Sequence, residues 1–238
     1  MTAIKTRQSD IVRVLAFSDI IKWEELRLVI DTVKPDIIVL AGDLSWEGFA
    51  TFYYPRDLPF EVQRRIHAEK FYRFLKYAGE KAAVLVVKGD HDEEGYYSSE
   101  KIDEIAGCKE ISGKFLEVKG LGFLGFGFRH AHSPKVIRNM INQFNRKVDV
   151  VVMHGENIRY ISLLKPHAII KGGGGGIGIC LVNDIISVYI GPNVYAVIDF
   201  RRRKAYQIRL FRFSGKSLIE SHLPYRRYKW MKPYSTIE

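Results

Sequence analysis

The chain has 238 residues, 47% hydrophobic and 13% aromatic, enough for one large domain with a substantial core and too apolar for a disordered chain. No apolar run approaches the ~18 residues of a membrane helix, the opening residues lack the apolar centre of a secretory signal, and two cysteines make no disulfide framework; these features predict a cytoplasmic protein. The formal charge is +10, yet residues 201–238 carry eleven Lys or Arg against two Glu, so the body is nearly neutral and the excess sits in the last sixth of the sequence. Few glutamines beside abundant Lys, Arg, Ile, Val and Tyr fit a thermophilic source.

The elements follow in chain order. Residues 11–18 read as a buried strand, and 22–33 as a helix with Trp23, Leu26, Val29, Ile30 and Val33 on one side. A second buried strand covers 37–40. Residues 44–59 are loop-like and aromatic, and 60–77 form an amphipathic helix ended by Gly79. A strand at 83–87 and a short helix at 99–106, capped by Ser99, complete a strand-helix alternation that implies parallel strands. Strands at 115–118 and 122–128 follow. A helix at 134–145 has Ser133 as its cap and Pro134 in its first turn. Then come a strand at 148–153, a helix at 157–164 and a strand at 168–170. Runs at 177–181, 185–190, 194–200 and 205–213 read as a β-meander.

Acidic and histidine blocks stand just past these strands: Asp19, Asp43, Asp90-His91-Asp92 and His154. A fifth strand ends in Lys171 and five glycines, Gly172 to Gly176. Strand ends are where an α/β fold gathers residues distant in sequence. Carboxylates and imidazoles gathered there are hard-to-borderline ligands for Mg, Mn, Fe or Zn. A carboxylate bridges cations well because both its oxygens carry lone pairs. A histidine that is not a ligand can protonate a leaving oxygen.

The order Asp, Gly-Asp, Gly-Asp-His-Asp, His resembles the calcineurin-like metallophosphoesterase family, over the span from Asp19 to the glycine run. The resemblance implies an α/β fold, an αββα sandwich of two mixed β-sheets flanked by helices. It implies Asp19, Asp43, Asp90 and His154 as metal ligands, His91 as the catalytic histidine and Asp92 as its acidic partner. Two departures stand out. Ile21 occupies the histidine position of an Asp-x-His block, and glycines occupy the final Gly-His-x-His block. The set that remains implies one divalent cation, Mn or Mg ahead of Zn, or none. Without an ion the clustered carboxylates need another cation. Lys171, Arg129 and Lys22 are candidates, and His130 and His132 could restore lost ligands. His167 starts its strand, at the wrong end to substitute. The glycine run reads as a loose loop left where ligands were lost.

The division is a domain over 1–213 and a basic aromatic tail over 214–238. Cations in the Arg201, Arg202, Arg203, Lys204 turn, and Arg226, Arg227, Lys229 and Lys232 with Trp230 in the tail, fit phosphates and unpaired bases, or a protein partner. Two functions stay open. One is a single-metal phosphodiesterase acting on nucleic acid or nucleotides. The other is a catalytically dead scaffold binding nucleic acid or a protein through its basic region.

Overall fold

The computed structural model describes residues 11–20, 23–44, 58–92, 95–131, 133–144, 146–155, 158–173, 176–182, 185–212 and 217–221. The aromatic loop after Leu44, Lys22, His132 and the tail beyond 221 lie outside them. β1 (Ile11–Phe17), β2 (Ile37–Ala41), β3 (Ala83–Val87) and β4 (Cys108–Glu110) pair in parallel. They are linked by α1 (Trp23–Val33), α2 (Phe60–Lys81) and α3 (Ser99–Asp103). The chain then builds a second sheet from β5 (Phe115–Val118), β6 (Leu121–Phe126), β7 (Val150–His154), β8 (Ala168–Gly172), β9 (Gly178–Val182) and β10 (Ile185–Tyr189). On it lie α4 (Phe128–Ala131), α5 (Pro134–Gln143) and α6 (Ile158–Ile161). It returns to the first sheet with β11 (Val194–Arg201), β12 (Lys204–Arg212) and β13 (Ser217–Ser221).

The sheet orders are β13-β12-β11-β1-β2-β3-β4 and β5-β6-β7-β8-β10-β9, both mixed. Alternation along each strand separates three apolar layers. Val14, Ala16, Val39, Ala41, Val150, Val152, Ala168 and Ile170 fill the space between the sheets. Leu15, Phe17, Ile38 and Leu40 face α1 and α2. Val151, Met153 and Ile169 face α5 and α6. This is the αββα sandwich.

Several expectations are corrected. The β-meander is two pieces. β9 and β10 form a hairpin on the second sheet, and β11 crosses to lie antiparallel to β1. Apolar alternation is the same on either sheet, so it could not separate them. α2 runs past Gly79 to Lys81. Gly79 is needed for close approach, because a Cβ there would stand 2.1 Å from the Ala106 carbonyl. Ser98 rather than Ser99 caps α3, accepting from Lys101 N–H at 3.5 Å. β4 is too short to announce itself. β13, within the segment assigned to the tail, pairs with β12 and extends the sheet. Ser133 caps α5 with Pro134 in its first turn. Among the described residues no helix is long and apolar enough to cross a membrane.

Candidate metal centre

Five strand ends meet at one pole. β1 leads into Ser18-Asp19, β2 into Gly42-Asp43 and β3 into the 89–92 loop, while β7 ends in His154 and β8 in Gly172. Asp19 and Asp43 have φ of 52° and 50°, a left-handed conformation that aspartate tolerates better than most side chains. The two turns brace each other: Asp19 N–H donates to Gly42 O at 3.2 Å and Ile20 N–H to Asp43 O at 3.1 Å.

His154 sits at the centre, 2% exposed. Its Nδ1 lies 2.9 Å from the Ala41 carbonyl. A carbonyl only accepts, so Nδ1 carries a proton and donates. That fixes Nε2, which lies 3.1 Å from Asp90 Oδ1 and 3.3 Å from Asp43 Oδ1. Glycine backbone covers the ring from both sheets. A Cβ on Gly42 would fall 2.3 Å from Nδ1, and one on Gly173 would fall 2.7 Å from Nε2. Both glycines have positive φ, 83° and 72°. At Gly172 a Cβ would fall 1.9 Å from Ala41 O and 2.1 Å from Ser18 Oγ. The expectation of a loose loop therefore fails for Gly172 and Gly173. They are glycine because the two sheets close on His154 and leave no room for a side chain.

The 89–92 loop is pinned by Asp92. This carboxylate is buried, and it accepts Leu44 N–H at 2.8 Å on Oδ1 and Gly89 N–H at 2.7 Å on Oδ2. The family resemblance makes Asp92 the acidic partner of His91. In the structure it ties the third loop to the second. Asp90 Oδ2 lies 3.5 Å from His91 Nε2, and both side chains are 38% exposed. His91 N–H also donates to Asp43 Oδ1 at 3.4 Å. Asp43, Asp90 and His91 each offer a ligand atom within 4.8 Å of the others.

The charges explain the arrangement. Burial pushes the Asp43 carboxyl up, but His154 and then His91 outweigh it and hold it below the ordinary range. Burial opposes the charge on His154, but the bond to Asp43, the field of Asp43, the Ala41 carbonyl and Asp19 raise it to about 9. Asp19 is pushed up, first by burial and also by Asp43. The Ser18 hydroxyl, donating to Oδ2 at 2.7 Å, and the Gly173 N–H pull it back. Burial raises Asp92 to about 7, against its backbone donors. Without an ion, a positive charge on His154, whose Nε2 lies between Asp43 and Asp90, would offset these carboxylates.

Lys171 does not fill that role. Its strand turns it to the helix-covered face, where its Nζ lies 5.0 Å from the centre of the Tyr189 ring. His130 is not brought in either. It stands by Gly113 and Glu110, with Nδ1 buried and unpaired, and Arg129 lies beside it in the chain. His167 lies at the other pole, 3.9 Å from Asp149. Of the basic turn, Arg203 is bound to buried Asp149, Nη2 to Oδ2 at 2.6 Å and Nε to Oδ2 at 2.9 Å. Arg201, Arg202 and Lys204 are exposed. The tail cations Arg226, Arg227, Lys229 and Lys232, with Trp230, lie outside the described residues. The sequence reading missed the Ala41 carbonyl, Ser18 and the Gly173 N–H. The pairing of Ser18 with Asp19 and the glycine doublet were the only signals for them.

The sequence profile of the calcineurin-like phosphoesterase family matches residues 12–203. No curated protein matches the sequence. Among solved structures, that of TT1561 of Thermus thermophilus is similar with a TM-score of 0.60 at 13% identity, covering 85% of this chain and 99% of that one. GAP50, the anchor in the inner membrane complex of Plasmodium, is similar with a TM-score of 0.54 at 10% identity, covering 92% and 90%. At such identities the likeness is one of fold.

Proposed function

The chain belongs to the calcineurin-like phosphoesterase family, whose members bind divalent metals, and on that premise we propose that it hydrolyses phosphodiesters with one divalent cation held by Asp43, Asp90 and His154. The observation that carries this reading is His154, with Nδ1–H fixed on a carbonyl and Nε2 aimed between two carboxylates. A metal-binding histidine is oriented in the same way, by a hydrogen bond from its other ring nitrogen. Two carboxylates and an imidazole suit Mn or Mg ahead of Zn. When bound, the cation supplies Lewis-acid stabilisation of charge on a phosphoryl oxygen.

The chain's own groups do the rest. Asp92 locks the 89–92 loop onto Leu44 N–H, which holds Asp90 and His91 beside Asp43. The partly exposed His91 ring gives its proton to the leaving oxygen as the phosphorus–oxygen ester bond breaks, and regains one from the attacking water. Asp19 is buried beside Asp43 and keeps its own donors, Ser18 and Gly173.

The test is turnover of bis-p-nitrophenyl phosphate across Mn, Mg, Ni and Zn, with metal content measured on the same samples. His91→Ala should keep the metal and lose on the order of 10²–10⁴ in rate. His154→Ala should lose the metal. Absence of metal and of turnover with every ion overturns the proposal.

A second reading is a binding scaffold without catalysis. It is favoured by Gly173, which gives Asp19 a backbone N–H at a position where the family pattern puts a histidine. Its partner would be a nucleic acid or a protein. The basic turn gives no support to nucleic acid as the substrate. Arg201 pairs with Ile11 at the start of β1, while the site lies past Phe17 at its end. Seven residues at ~3.3 Å each put the two roughly 20 Å apart.

A further inference from the structure

At the pole opposite His154, cations from the β11–β12 turn and from the segment before β7 converge on one buried carboxylate. Asp149 precedes β7 and is fully buried. It accepts from Gly122 N–H at 2.8 Å and from Arg203 at 2.6 Å, with Lys147 Nζ 3.9 Å away and His167 Nε2 3.9 Å away. His167 is held below the ordinary imidazole range by burial, then by Lys147, and also by Lys204 and Arg203, with Asp149 opposing. Asp149 thus brings Lys147, just before β7, close to Arg203, the neighbour of Lys204 at the start of β12. Glu117 also faces Arg203. Beyond Asp149, Arg201, Arg202 and Lys204 project as exposed residues.

The turn itself is unusual. Arg202 and Arg203 have φ of 49° and 68° between paired Arg201 and Lys204. A two-residue turn of that shape favours Asn-Gly, so backbone preference does not account for two arginines. Asp149 accounts for Arg203, and Arg202 is left projecting. Next to the turn, Asp199 pairs with Gln207 and Phe200 with Ala205, which makes Tyr206 the extra residue of a β-bulge. Bulges re-aim side chains, and Tyr206 is 54% exposed.

We propose that this pole binds single-stranded nucleic acid, with Lys147, Arg201, Arg202 and Lys204 on the phosphates and Tyr206 stacked on a base. Cations supply the salt-dependent part of such binding, and an outward ring beside them is the sequence-tolerant stacking platform. None of these residues belongs to the metal centre, so the proposal is independent of hydrolysis.

Fluorescence anisotropy of a labelled oligothymidylate, titrated with the full chain over a salt series, tests it. Arg201→Glu with Arg202→Glu and Lys204→Glu should weaken binding by tenfold or more and flatten the salt dependence, since each lost phosphate contact removes about 0.7 from the log–log slope. Tyr206→Ala should weaken binding roughly tenfold at unchanged slope. Lys147→Gln reads the same surface from the segment before β7, should the hairpin variant fail to fold. Arg203 is left intact because it holds Asp149. Turnover of bis-p-nitrophenyl phosphate should be unchanged in all of them. Unchanged affinity in the hairpin and Lys147 variants overturns the proposal, because other cations then do the binding. So does equal binding of duplex with no effect of Tyr206→Ala, or binding of phosphatidylserine vesicles without the strand.

Discussion

Gly173 shows how one residue sets the site. Its φ of 72° and the 2.7 Å between a Cβ and the His154 ring predict two costs for Gly173→Ala. The left-handed backbone alone costs about 1–2 kcal/mol, and displacing His154 adds to it. Gly176→Ala is the control, because a Cβ there meets nothing closer than Tyr189 Cδ1 at 3.7 Å. Urea denaturation should show a loss of about 1–3 kcal/mol for the first and little for the second. Equal, small effects in both would mean that the glycine run is not packed. The same geometry explains why a histidine restored at 173 should not rebuild a ligand: the space belongs to His154.

At the scale of elements, the β11–β12 hairpin is stapled to the second sheet by Arg203 and Asp149. Arg203→Ala would leave a fully buried carboxylate with Gly122 N–H as its remaining hydrogen bond. Uncompensated buried charge is costly, though Arg203 is itself 39% exposed. We expect a loss of about 2 kcal/mol by urea denaturation. Adding Asp149→Asn should recover part of it, because the charge is then gone. A double variant no more stable than Arg203→Ala would show that the hairpin is held by packing alone. The element pattern itself was legible. Strand and helix periods place most described elements, the short β4 and α4 and the tail strand β13 excepted, and Asp19, Asp43, Asp90 and His154 at strand ends implied a shared pole. The sheet membership of β9 to β12 was not legible, because alternation marks a strand's faces and not its neighbours.

For the whole molecule, His154 links pH, metal and stability. Its folded pKa of about 9 lies above the ordinary 6.5. A raised basic group stabilises fully below the unfolded value and loses that contribution as pH rises through the folded one. Chelated protein should therefore lose on the order of 2 kcal/mol between pH about 6.5 and about 9, followed by denaturation at each pH. On the proposed reading, a cation would take the place of the Nε2 proton. Adding Mn at neutral pH should raise the melting temperature and release a proton, read as a buffer-dependent heat of binding. His154→Gln should abolish both effects. A heat independent of buffer would show that the cation binds elsewhere.

The family, the layered fold and the identity of the polar groups at the strand ends could all be read from the residue order, because strand periodicity and the residue after each strand are local properties. Residue order could not decide which of those groups point at each other. Asp92 turns from His91 to two backbone amides, Lys171 faces Tyr189, and Arg203 reaches Asp149 across the sandwich. Those choices depend on how closely two sheets approach and on which face a side chain leaves. Such distances exist only once the two sheets have packed together.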